Sequence, residues 1–239
     1  MKKVGIIFFA TLFVVFSAHY LIAQDNGEDE TAERTIEELY LQNAEMSVIR
    51  QQAVTVDREM KLLALDNMEQ LIEEGKVTED SADALYLLDY LAMEGIAREV
   101  RVNGRLINYF PEVRRRSANL LGKVGGETAK DTLLDVIDND NEPMVLAEAA
   151  YALGEIGINN DDQVALVLAD MITQQSVVAP DDNLAFAVLL AFEKIAEAND
   201  GLNNPDVFNA IIQIAQGNYI REVRRKALDV MNKLRSYSQ

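Results

Sequence analysis

Six arginines lie between positions 98 and 116: Arg98, Arg101, Arg105, Arg114, Arg115 and Arg116. The only acids in that stretch are Glu99 and Glu112, in a chain whose formal net charge is −18. A guanidinium is a planar, permanently charged fork that pairs bidentately with carboxylate or phosphate. The chemistry such a cluster can do is recognition, with Tyr109 and Phe110 as aromatic anchors beside the charge. Arg98, Arg101, Arg105, Tyr109, Phe110, Arg115 and Arg116 are therefore the candidate partner-binding residues. For Arg114, and likewise Arg224, a second use competes: pairing with a carboxylate of a neighbouring structural unit.

Bond-making chemistry has few residue types to draw on. The chain has no cysteine and no tryptophan, and its one histidine is His19. Beyond residue 23 this excludes a cysteine nucleophile, a Ser-His-Asp triad and a zinc site of the usual ligand set. The acidic run Asp138-Asn-Asp-Asn-Glu142 superficially suggests a calcium loop. That pattern needs glycine at its sixth position and glutamate at its twelfth, where Pro143 and Ala149 stand. The run reads instead as a solvated helix-capping turn. Carboxylate-only catalysis needs no histidine, but no acid pair accompanies the aromatic platforms a sugar site uses. The expectation is no enzyme, no cofactor and no metal; a carboxylate-dependent lyase or hydrolase is the alternative. The negative field argues against nucleic acid as a partner, and a third reading gives the basic stretch to anionic lipid or polymer.

These residues need a scaffold, and an internal repeat shows which. Pro111 to Gly125 lies in register over Pro143 to Gly157, at an offset of about 32 residues, within the range of stacked helical repeats. The coincident pairs are Pro111/Pro143, Val113/Val145, Ala118/Ala150, Leu121/Leu153, Gly122/Gly154, Val124/Ile156 and Gly125/Gly157. Proline opens a helix where its missing N–H would be orphaned anyway, and glycine stops it. One such unit cannot bury its own apolar stripe and must stack on neighbours. Repeats are expected over 111–138, 143–175 and 182–217, with a cap over 219–236. In that cap Arg221-Glu-Val-Arg-Arg-Lys-Ala-Leu-Asp-Val-Met returns nearly residue for residue to the segment from Pro111.

The pattern Pro-x-Val-Arg-x-x-Ala-x-x-Leu-Gly-x-x-Gly followed by a second amphipathic helix resembles HEAT repeats, in particular the short variety of the phycobilisome-lyase-like HEAT proteins. The resemblance covers 111–157 well, weakens towards 236 and is faint before 95. It implies an all-α fold, an α-solenoid of stacked antiparallel helix pairs that usually serves as a protein-binding scaffold. The matched residues, Arg114 among them, are structural ones, so lyase chemistry does not carry over.

Upstream, helical spacing over 33–95 predicts helices that pack on the solenoid. One carries Ile36, Leu39, Tyr40, Ala44 and Val48 on a face; the next, after Asp57, carries Met60, Leu63, Ala64, Met68, Leu71 and Ile72. Between 96 and 110 the helical pattern breaks. Alternation around Asn103-Gly104 reads as a short β-hairpin or ordered loop near 99–109, the competing reading being a bent helix ended at Gly104. Residues 1–23, with Lys2 and Lys3 before an apolar run ending at Ala23, read as a signal peptide; a retained membrane anchor over 4–23 is the alternative. Residues 24–32 read as an acidic, disordered leader. The protein is thus expected to be exported, periplasmic for instance, and to bind a protein partner.

Overall fold

The structure is a computed structural model and describes residues 36–237. The signal peptide and acidic leader read from residues 1–23 and 24–32 lie outside the described residues. Ten α-helices follow in order: α1 (Ile36–Ala53), α2 (Arg58–Glu73), α3 (Ala82–Ala92), α4 (Pro111–Val124), α5 (Gly126–Asn139), α6 (Pro143–Ile156), α7 (Gln163–Val178), α8 (Asp182–Ala198), α9 (Pro205–Gln216) and α10 (Arg221–Tyr237). Proline stands in the first turn of α4, α6 and α9, while Asp57 and Asp181 cap α2 and α8 by accepting amides of Met60 and Leu184. Among the described residues no helix is long and apolar enough to cross a membrane.

The helices form two layers. In the first, α2, α4, α6, α8 and α10 stack side by side; in the second, α1, α3, α5, α7 and α9 do the same. Each second-layer helix also packs on the first-layer helix that follows it, α3 on α4 and α5 on α6, for example. This is an α-solenoid. The N-terminal helices are layers of the same stack, although their repeat is too degenerate to read before Pro111. Of the face read for α2, Ala64, Met68 and Leu71 are buried, but Met60 and Leu63 are exposed while Lys61 and Leu65 are buried; on α1, Val48 is exposed and Ile49 buried.

One apolar spine runs through the stack. Motif residues Val113, Ala118, Leu121, Val145, Ala150 and Leu153 are fully buried, as is Phe192, which takes the place of Leu153 in α8. Burying one such leucine contributes about 1.5–3 kcal/mol, so spine packing rather than helix propensity holds the fold.

Gly122 and Gly154 set the spacing of the first layer. A Cβ on Gly122 would lie 2.7 Å from that of Ala152, and one on Gly154 would lie 2.7 Å from the Ala191 backbone. Helices α4, α6 and α8 thus approach through small residues on both sides. Gly154→Val should force α8 away and lower stability by about 1–3 kcal/mol. Urea unfolding checks this: the midpoint should fall while the slope stays unchanged.

At the next step Glu193 occupies the equivalent position, and charge replaces close approach. Lys226 and Lys233 of α10 both grip Glu193, at 2.5 and 3.0 Å. Three interfaces earlier in the first layer the same device recurs, with Arg116 (3.2 Å) and Lys123 of α4 both gripping Glu69 of α2. Burial pushes the Glu193 carboxyl up, but the two ammonium groups outweigh it and hold it below its ordinary 4.5. A depressed acid stabilises the fold above its unfolded pKa, and that contribution is lost as pH falls through the folded value. Glu193→Gln should therefore flatten the loss of urea resistance between about pH 5 and pH 3.

Candidate functional site

The basic segment begins with a hairpin. Strands β1 (Arg101–Val102) and β2 (Arg105–Leu106) pair antiparallel, and Asn103 and Gly104 at the turn both take positive φ, 51° and 80°. A type I′ turn requires that, and the bent-helix alternative is thereby excluded. Below the strands the segment is fastened to the stack by buried polar groups. Asn108 donates to Glu94 Oε1 at 2.9 Å and to the Arg98 carbonyl at 2.6 Å, while its Oδ1 accepts the Val100 amide. Glu94 Oε2 in turn receives Lys61 Nζ at 3.0 Å, both side chains being almost fully buried. Gly95 lets the return strand pass: a Cβ there would meet the Asn108 carbonyl at 2.4 Å.

Most of the cluster's charge is paired within the chain. Arg98 stacks on Tyr90 at 4.5 Å and lies 3.8 Å from Asp89. Arg101 pairs with Glu99 and donates to the Gly104 carbonyl. Arg114 is fully buried, donating to both oxygens of Asp140 at 2.7 and 3.2 Å and to the Glu94 carbonyl at 3.1 Å. Burial opposes its charge, but Asp140 more than compensates and keeps the guanidinium protonated. Tyr109 covers Arg114 with its ring at 4.6 Å and donates its hydroxyl to Glu142, and Phe110 packs on the core. Arg115 reaches Glu148 of α6 at 3.2 Å, and Arg116 reaches Asp66 and Glu69 of α2. Arg105 is exposed at the hairpin and, among the described residues, has no ionic partner. Asp140, in the middle of the acidic turn, also accepts the amides of Asn141 and Glu142. Its carboxylate is a helix-capping and layer-tying group.

The residues that pattern reading passed over lie on the outer face of the first layer. A groove of about 520 Å³ crosses α4, α6, α8 and the start of α10. Its floor is apolar: Met144, Tyr151, Phe186, Leu190 and Ile220, of which Met144 and Ile220 are more than half exposed. Its rim is charged, with Arg115, Glu148, Asp182 and Glu222. A smaller recess beside Pro111, Arg115, Glu142 and Met144 continues it towards Tyr109. The sequence held one signal for this face. Helix α6 is apolar all round except for Glu148 and Glu155, more than one buried stripe needs.

The carboxylate alternative needs an acid shifted upward. Burial raises Asp89, Arg98 opposes the shift and Asp135 adds to it. Its companion Asp135 is exposed. Asp89 lies between α3 and α5 on the second layer, away from the groove.

Comparison with known proteins bears on the centre of this arrangement. The family model for HEAT repeats matches residues 105–179, which run from β2 through α7. No curated protein matches the chain.

Proposed function

We propose that this HEAT-repeat solenoid is an exported, non-enzymatic scaffold that holds a segment of a partner protein in the first-layer groove. The observation that carries the reading is the run of exposed apolar side chains across three stacked helices, Met144, Phe186 and Ile220, rimmed by charge. A contiguous apolar patch with a polar rim is the usual mark of a protein-binding surface. Stacked repeats suit the task because each layer adds a strip of surface without needing a catalytic centre. The hairpin, with Arg105 open, supplies a second contact for an acidic part of the same partner. Export rests on residues 1–23 and sets the envelope as the place to look for that partner.

The test is comparative capture from the envelope fraction with wild-type protein and with Met144→Glu/Phe186→Glu. Both side chains are exposed, so the variant should keep the wild-type circular dichroism and melting temperature. Proteins retained by the wild type should be lost from the groove variant and weakened several-fold by Arg105→Glu. Unchanged retention by the groove variant would refute the assignment.

A further inference from the structure

Helix α10 repeats α4 at an offset that aligns Val223 with Val113, and its basic residues divide by direction. In α4, Arg116 and Lys123 reach back to Glu69 of the preceding layer; in α10, Lys226 and Lys233 reach back to Glu193 in the same way. Arg114 and Arg115 instead reach forward, to Asp140 in the turn before α6 and to Glu148 within α6. Their counterparts in α10 are Arg224 and Arg225. Both are exposed and, among the described residues, neither has a partner.

The apolar positions tell the same story. Ala118 of α4 is fully buried under α6, whereas Leu228, its counterpart, is 52 % exposed. Asn232, exposed as well, stands in the place of Gly122, so a helix seated on α10 cannot approach as closely as α6 approaches α4. The forward face of α10 is thus a stacking surface with nothing seated on it among the described residues.

We infer that this face docks an amphipathic helix of a partner protein, entered through an acidic turn. The chain's own α4–α6 contact shows what such a face accepts: an aspartate before the first helical turn for the first arginine, and a glutamate eight residues later for the second. Charge complementarity supplies the attraction, since desolvated arginine–carboxylate pairs favour the matched partner and repel others. Asp229 stands where Asn119 donates to Glu148, so the second carboxylate would be drawn by Arg225 alone and repelled by Asp229. A second copy stacked head to tail is the poorer occupant. On the open face of α2 the residues aligned with Asp140 and Glu148 are Thr55 and Leu63, and neither carries charge.

The probe is a fluorescent peptide with the sequence of residues 138–157, added to the full chain at low salt and followed by anisotropy. Saturable binding is expected, reduced about tenfold by Arg224→Glu/Arg225→Glu and by a peptide carrying Asp140→Asn and Glu148→Gln. Arg105→Glu, a charge change elsewhere, should leave it unaltered. No binding at millimolar peptide, equal binding to the α10 variant, or equal loss on Arg105→Glu would each overturn the inference. Both arginines lie outside the groove substitutions, so failure here is distinguishable from failure of the groove reading.

Discussion

Asp140→Ala should destabilise the protein by about 3–5 kcal/mol, because it leaves the Arg114 guanidinium buried with a charge and no counterion. The pair sits with both side chains fully excluded from water, and Asp140 also satisfies two amides at the entry to α6. Arg114→Met should cost a similar amount by leaving the carboxylate stranded instead. The double variant Arg114→Met/Asp140→Ala removes both charges, and the two amides lose their acceptor in it just as they do in the single Asp140→Ala variant. It should be no less stable than either single variant, a non-additivity of several kcal/mol that identifies a coupled pair. Urea titrations of the four proteins make the measurement. Strict additivity would mean that the two charges are not coupled.

Glu94→Gln should have an effect of the same size, about 3–5 kcal/mol, through Lys61. The Lys61 ammonium is buried, donating to the Ala53 carbonyl at 2.6 Å and to Glu94 at 3.0 Å. Neutralising Glu94 leaves that cation with a carbonyl and, 5.2 Å away, the Tyr90 ring. Glu94 also orients Asn108, which fixes the base of the hairpin. The loss should therefore be felt locally first. Amide exchange at Val100 and Ile107 should accelerate more than exchange in α6 or α8, and Lys61→Met in the same chain should restore most of the stability.

How much of this was readable from sequence follows from how local each cause is. The spine was legible because Leu121 and Leu153, Gly122 and Gly154, and the opening prolines recur within about 32 residues, and stacking needs those residue types there. The hairpin was half legible: Asn103-Gly104 named the turn, but what anchors it, Asn108 on Glu94, lies across a gap of fourteen residues. The face of α2 was partly legible, in Ala64, Met68 and Leu71, and missed at its edge because pattern reading turns lysine outward, whereas Lys61 finds its counterion thirty-three residues away. In the arginine cluster the partners of Arg114, Arg115 and Arg116, namely Asp66, Glu69, Asp140 and Glu148, come from neighbouring helices of the stack, so a local charge count could not show that these charges are paired. The groove left little trace in the sequence, because apolar residues on an apolar helix do not announce which of them, such as Met144 and Phe186, the neighbours leave uncovered.

Recognition on the first-layer face, as proposed, is open to a direct measurement: site-specific photocrosslinking in the native cell, with the reactive side chain placed in turn at Met144, Phe186, Tyr86 and Val177. All four positions are exposed, the first two in the groove and the last two on the second layer. Partner adducts are expected from Met144 and Phe186 and none from Tyr86 or Val177. Adducts from the second-layer positions alone would overturn the proposal.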